Sequence, residues 1–517
     1  MSTTATPTVP SIGGLHRSVD ERIAIGKAAR KVVPRSAHGA WDPAQRTHDP
    51  IALLQQQAEA RVPELVPIRH GRMSASAFAN YRGAALMMAA DLATAPSTGL
   101  DVQLCGDAHL SNFGGFASPE RKLVFDLNDF DETLPGPFEW DVKRLVASVD
   151  VAGRANGFDD ALRTDMVLGT ARAYREAMAQ FAAMRDLEVW YSSLDVEAVL
   201  ATMADQADAA QRKRAKKGLA KAHGKDQLRA AAKLTEVVDG RLRFISNPPL
   251  LISVADLFGT EIGEELESAV RGSLESYQQS LNADRRHLLS RYRFVDLARK
   301  VVGVGSVGTR AWVALFVGRD EDDPLVLQVK EAQASVLEQF LPASAYETHG
   351  QRVVEGQRLM QAASDVLLGW QQTDGIDGIR RDYFMRQLWD WKASVEVGLL
   401  EPPMLARYGQ LCGWTLARAH ARSGDLVDMG GVDLAAVGTE VAEAGVIEQD
   451  EHDVRALLSR ARRRGGSGRG GGAGHRRPGG QGRAGRESQC QQRSQVSGGA
   501  PAARWEGGGR HGLVSLF

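Results

Sequence analysis

The sequence predicts an α+β fold in two unequal parts, a long helix-rich part and a shorter β-rich part. Three observations carry this. Segments between residues 50 and 230 repeat apolar residues at helical spacing. Two short strand-then-polar-loop units, leading to Asp107 and Asp129, interrupt that region early. Residues 299–331, RKVVGVGSVGTRAWVALFVGRDEDDPLVLQVKE, read as strand, glycine-rich turn, strand, acidic turn, strand.

The elements follow in order. Residues 1–45, rich in Ser, Thr, Pro and basic residues, are expected to form a flexible arm with one short helix near Asp20 to Arg30. Residues 50–61 and 76–94 read as helices, the second one buried. Leu100 to Leu104 and Leu123 to Phe125 read as strands that present polar loops, the arrangement by which rigid elements hold site residues. Residues 138–230 read as mostly helical, and the basic run Gln211 to Gln227 as a solvated helix face, with a phosphate-substrate or nucleic-acid patch as the alternative. After the hairpins of 299–331, residues 346–362 and 403–423 read as helices and Asp382 to Leu388 as a strand.

Composition narrows the class. The chain has 517 residues, enough for two or three domains, and a formal net charge of -1, which gives no global attraction to nucleic acid or to an acidic membrane. Cys105, Cys412 and Cys490 are too far apart in sequence to suggest a zinc site or a disulfide framework, which fits a cytoplasmic setting. The first 22 residues hold no apolar h-region, and no apolar run approaches the roughly 18 residues of a membrane span. From Arg460 onward the chain is Arg, Gly, Gln and Ser, and disorder is expected from about 462 to 517. Such a tail reads either as an Arg/Gly nucleic-acid segment or as GC-rich DNA translated out of frame. The change of character after Asp425 places that shift between Gly424 and Asp450, making 426–517 atypical.

Three constellations carry chemistry. In Cys105-Gly106-Asp107-Ala108-His109-Leu110-Ser111-Asn112, Asp107 can orient a hydroxyl for in-line attack and Asn112 can offer an oxygen to Mg²⁺, while His109 braces the loop or joins the proton transfer. In Asp126-Leu127-Asn128-Asp129-Phe130-Asp131-Glu132, four carboxylates in seven residues repel unless water or a cation separates them, and hard oxygens favour Mg²⁺ or Mn²⁺. Asp126 and Asp129 are both candidate metal ligands. In the third, Gly303, Gly305 and Gly308, with Ser306 between them, form G-x-G-x-x-G between two strand-like runs, as in a loop whose backbone covers phosphates. Lys330 lies on the next strand amid apolar residues and needs an anionic partner, with Glu355 or Glu338 on the following helix available to position it. Arg69, Arg72 and Arg82 read either as contacts for an anionic acceptor or as buried structural arginines.

Together these residues resemble the protein-kinase-like superfamily, in particular its aminoglycoside phosphotransferase and choline kinase branch. There the catalytic loop reads H-G-D-x-H-x-x-N, and Cys105 to Asn112 matches it except for Cys105 at the first His. The resemblance implies a catalytic Asp107, metal ligands Asn112 and Asp129, a buttressing Asp141, and a nucleotide held by the glycine loop and Lys330. Those last parts precede the catalytic loop in ordinary kinases and here follow it by about two hundred residues, which implies a circular permutation. A catalytic lobe would span 46–297, a nucleotide lobe 298–395, and residues 396–425 would return to the catalytic lobe. The wider chain, about 25–425, is also similar to a bacterial family of unknown function through ELVPIRHGRM, GDAHLSNFG, NDFDE, VGVGSVGTR, LQVKEA and LARAHARSGD. The expected activity is ATP- and Mg²⁺-dependent phosphoryl transfer to a small-molecule hydroxyl. The alternatives are a metal-dependent phosphoesterase, for which the G-D-x-x-D-R-G and G-N-H-[DE] runs are missing, and a nucleotide-binding regulator without turnover.

Overall fold

The computed structural model describes residues 17–39, 46–204, 209–259, 272–301, 303–375 and 377–424. The tail expected at 426–517, the interval of the suspected frame shift and Cys490 lie outside these residues. The fold is mixed α+β with several antiparallel sheets. Among the described residues, no helix is long and apolar enough to cross a membrane.

Part of the expected arm is a docked helix, α1 (Val19–Val32). Ser18 and Glu21 cap it reciprocally, and Arg22 reaches the Ala182 carbonyl at 3.3 Å and Asp186 at 3.1 Å. Then come α2 (Pro50–Glu59), α3 (Val66–Met73), α4 (Ala77–Tyr81) and α5 (Ala85–Leu92). The sequence predicts one helix over 76–94, but the structure breaks it at Arg82–Ala84. The Gly83 carbonyl there accepts Arg69 Nη2 at 2.9 Å, a bond that takes it out of a helical ladder.

Strand β1 (Asp101–Leu104) pairs with β4 (Leu134–Pro137); between them β2 (Phe113–Ala117) and β3 (Leu123–Leu127) form a hairpin. β3 runs two residues further than predicted, so Asp126 sits on a buried strand rather than in the loop. The long helices α6 (Phe138–Ala155) and α7 (Asp160–Ala183) then pack beneath the loops. A later helix, Pro402–Ser423, lies against α7. Glycine permits the close approach, because a Cβ on Gly413 would come 2.6 Å from the Thr170 carbonyl oxygen.

After the short strands β5 (Leu194–Asp195), β6 (Thr235–Val238) and β7 (Arg241–Phe244), the late part is a six-stranded antiparallel sheet. In chain order its strands are β8 (Leu251–Ser253), β9 (Arg293–Lys300), β10 (Ala311–Val317), β11 (Pro324–Ala332), β12 (Gly369–Asp374) and β13 (Arg380–Gln387). Their spatial order is β12-β13-β11-β10-β9-β8. Period-two alternation splits its side chains. Ala314, Phe316, Leu327 and Val329 face one apolar cluster, and Val313, Leu315, Val317 and Val326 face another. The helix His349–Met360 connects β11 to β12 and buries Val353, Val354 and Met360 in the core of the helical part. Residues of both parts therefore meet in one apolar cluster, beside the separate clusters on the two faces of the late sheet.

Asp126 and Arg418, both 1% exposed, form an ion pair that joins β3 to the helix Pro402–Ser423. Arg418 also donates to the Met360 carbonyl at 2.7 Å. Arg418→Ala leaves a buried carboxylate without a counter-charge and is expected to cost about 3–5 kcal/mol in urea denaturation. A loss below about 1 kcal/mol, the range of an exposed pair, contradicts this role.

Candidate functional site

The loop after β1 is held from below. Asp141, in the first turn of α6, accepts the backbone N–H of Cys105 at 2.7 Å and of Gly106 at 3.0 Å, and faces His420 Nε2 at 3.2 Å. Gly106 has φ +81°, and a Cβ there would lie 2.3 Å from the Glu132 carbonyl oxygen, so the turn requires glycine on both counts. Asp107 follows. Its Oδ1 accepts Arg144 Nε at 2.8 Å and lies 2.8 Å from Nη2, which donates to the Tyr81 carbonyl, and its Oδ2 lies 3.7 Å from His109 Nε2. Arg144 stacks 4.0 Å over the Tyr81 ring, which fixes the guanidinium and so the carboxylate. Burial lowers the His109 imidazole to about 4, so it is neutral near pH 7 and suits bracing better than donating a proton from an imidazolium. Asn112 spends its amide N–H on the Asp107 carbonyl at 2.7 Å and turns into the same cleft.

The acidic loop after β3 crosses to the late sheet. Lys330, 3% exposed on β11, lies 2.6 Å from Asp131 Oδ2 and 3.7 Å from Asp129 Oδ1. Burial and then the Asp129 charge push the Asp131 carboxyl up. At Asp129 burial acts the same way, but Lys330 and Arg386 outweigh it and the shift is downward. Two carboxyls sharing one ammonium titrate as a pair. Asp131 Oδ1 is buried with no hydrogen-bond partner, an orphaned acceptor at the cleft. Arg352, from the helix His349–Met360, binds the loop's backbone through the carbonyls of Thr133 at 2.7 Å and Asp131 at 2.9 Å.

The glycine turn joins β9 to β10 and closes over this loop. Gly303 and Gly308 have φ of +67° and +93°. Arg72 Nη1 donates to the Gly303 carbonyl and Arg61 Nη1 to the Val307 carbonyl, each at 2.6 Å, while Val62 N–H donates to Gly308 at 2.8 Å. Ser306 Oγ lies 3.5 Å from Asp131 Oδ2. One cleft is thereby lined by Asp107, His109, Asn112, Asp129, Asp131, Gly303, Gly305 and Ser306, with Lys330 directly behind Asp131.

Two sequence candidates lie elsewhere. Asp126 spends both oxygens on Arg418, the Leu127 N–H and the Ala362 N–H, so it stands as a structural anchor away from the cleft. Glu355 pairs with Arg358 one turn along its own helix at 2.9 Å, and the partner expected for Lys330 on that helix is supplied instead by the acidic loop. Glu338, the other candidate, turns toward Arg352 at 3.8 Å. Sequence reasoning missed Arg144. Its place three residues after Asp141 on one helix face was the available signal.

Among the described residues no three His, Cys, Asp or Glu side chains converge as an all-protein metal cage. The cleft offers Asn112, Asp129 and Asp131, an all-oxygen set that fits a hard cation keeping some of its own water. A more apolar cavity of about 350 Å³ opens on the other sheet face, lined by Trp312, Val329 and Tyr383. Its Arg381 and Asp377 pair with each other at 2.5 Å.

Burial pushes the Glu132 carboxyl up to about 7 from an ordinary 4.5. Between those values the folded chain binds a proton that the unfolded chain has released, so this group's contribution to stability falls as pH rises. Glu132→Gln keeps an oxygen for the Val336 N–H and removes the titration. Its stability relative to wild type is expected to rise between about pH 4.5 and pH 7 in denaturant titrations. A difference constant across that window contradicts the assignment.

No curated protein and no solved structure matches the chain. One sequence profile does, over residues 61–462. It begins later than the resemblance read from the motifs. It also runs past Asp425, through the interval in which the suspected shift of frame falls, to the edge of the Arg/Gly tail. The match takes in every cleft residue described above and most of the chain, and so the protein belongs to the bacterial family described as uncharacterized protein conserved in bacteria (DUF2252).

Proposed function

We propose that the chain is an ATP- and Mg²⁺-dependent phosphotransferase of kinase-like fold in circularly permuted order, acting on a small-molecule hydroxyl. One observation carries the reading. Lys330 and the glycine turn meet the acidic loop at the cleft that holds Asp107, although about two hundred residues separate them. Local order within the late sheet supports it as well. A glycine turn joins β9 to β10, a lysine lies on the next strand (β11), and a helix follows. Protein kinases place the glycine-rich loop, the strand-three lysine and the next helix in that order. One departure is that Lys330 pairs with the acidic loop and not with a glutamate of that helix.

The residues then take the following roles. Backbone N–H groups of the glycine turn and the Lys330 ammonium hold nucleotide phosphates. Asn112, Asp129 and Asp131 would hold Mg²⁺, which neutralises phosphate charge when bound. Asp107, positioned by Arg144, receives the acceptor hydroxyl proton as that oxygen bonds to the γ-phosphorus and the bond to the ADP oxygen breaks. A two-metal phosphoesterase has less support, because its clustered His and Asp ligands are not found among the described residues.

Thermal unfolding with ATP and Mg²⁺ tests this reading. At a hundredfold excess over Kd a ligand selective for the folded state adds about 2.7 kcal/mol of stability. The wild type is expected to show a Mg²⁺-dependent rise in melting temperature, and Lys330→Ala to lose it. Asp107→Asn is expected to keep the rise while ADP formation falls roughly 10²–10⁴-fold. Absence of any nucleotide-dependent rise in folded wild type contradicts the proposal, and a rise without turnover against a broad set of hydroxyl compounds favours a regulator.

A further inference from the structure

We infer that Arg61, Arg69 and Arg82 form a receptor for a phosphate-type oxyanion beside Asp107, so that the acceptor of the proposed transfer itself carries a phosphate. The assignment to the acceptor rests on the functional reading above; the receptor does not. All three arginines line the cleft that contains Asp107. Arg69 is fully buried and Arg61 is 8% exposed. Arg69 gives Nη2 to Gln57 Oε1 at 2.6 Å and to the Gly83 carbonyl, yet its Nε and Nη1 have no partner. Arg61 gives Nη1 to a loop carbonyl and its Nε has none. Among the described residues, Arg82 makes no side-chain hydrogen bond or ion pair at all, and its Nε is buried.

Buried arginines that act as struts look different in this chain. Arg352 also leaves its Nε without a hydrogen-bond partner but donates to three carbonyls, at Thr133, Asp131 and Gln333, and Arg418 spends itself on Asp126 and Met360. The carboxylates that share the cleft with the three arginines are already taken. Asp107 is held by Arg144, Asp131 and at longer range Asp129 by Lys330, Glu132 by the Val336 N–H, and Glu331 by Arg310 at 3.3 Å. The charges of Asp107 and Asp129 act on Arg82, and those of Glu132, Asp131 and Glu331 on Arg61, without an ion pair to either. A guanidinium does not relieve its burial by shedding a proton near neutral pH, so three of them with no carboxylate in direct contact favour an anion. Burial, followed by the neighbouring Arg61 charge, lowers Arg69 to about 9, an expression of the same electrostatic pressure. Forked N–H donors match phosphate oxygens, and several guanidiniums match a dianion better than a single carboxylate. Two sources supply that chemistry, a phosphate on the acceptor or the nucleotide's own terminal phosphate. Because the glycine turn and Lys330 already serve the nucleotide, the acceptor is the better assignment.

The test is calorimetric titration of inorganic phosphate and of pyrophosphate into the full chain, wild type and Arg82→Gln. It is run with and without a saturating non-hydrolysable ATP analogue and Mg²⁺. Arg82 has no protein partner, so the variant is expected to melt no lower than wild type. Its phosphate affinity is expected to fall roughly 10- to 100-fold, the scale of hydrogen bonds to a charged group. Phosphate binding that persists with the analogue bound supports the acceptor assignment. Phosphate displaced by the analogue overturns that assignment in favour of the nucleotide's phosphate. Equal phosphate affinity in the two proteins, or an Arg82→Gln chain that melts well below wild type, overturns the receptor. Phosphate binding that depends on Arg82 in a chain that ignores Mg²⁺ and ATP would sink the kinase reading and leave the receptor standing.

Discussion

The structure depends on how four carboxylates between residues 126 and 132 are neutralised. Buried charges of one sign repel, and the loop that carries them cannot fold on itself. The side-chain cations that meet two of them come from far along the chain, Lys330 at Asp131 and Arg418 at Asp126. Arg352 adds hydrogen bonds to the loop carbonyls. Closing the fold and building the cleft are therefore one event, because the contacts that hold the early helical part against the late sheet also set the acidic loop opposite the glycine turn.

Division of labour within the acidic run follows from strand geometry. Asp126 is on β3 and faces the helix Pro402–Ser423, while Asp129 and Asp131 lie beyond the strand end, where the chain turns toward β11. A parallel division operates at the first loop. Asp141 uses its oxygens on backbone N–H groups and holds the turn, which leaves Asp107 to face the cleft under the control of Arg144. In both loops one carboxylate is structural and a near neighbour is available for chemistry.

Much of this was legible in the sequence. The hairpins at 299–331, the helices near 349–360 and 402–423 and the strand near 382 follow directly from period and turn residues. Asp107, His109, Asn112 and Asp129 line one cleft with Gly303, Gly305 and Ser306 of the glycine turn. The break at Arg82–Ala84 was not legible, because it depends on an Arg69 contact within the fold and not on any local breaker other than Gly83. Nor could spacing separate Asp126 from Asp129, since a two-residue extension of β3 decides which one is buried against Arg418. Helix order alone points to Glu355 or Glu338 as the partner of Lys330. The actual partner came from a loop almost two hundred residues earlier, a pairing that no local pattern encodes.

The central claim is that Lys330 and the acidic loop act as one nucleotide site. A double-mutant cycle on Mg²⁺-dependent ATP binding, with Lys330→Met, Asp129→Asn and their combination, tests it most directly. Groups that share one bound phosphate–metal unit are expected to couple by roughly 0.5–3 kcal/mol, with the double variant losing less than the sum of the two single losses. Losses that add within about 0.5 kcal/mol, or an affinity that neither substitution changes, would contradict a shared site.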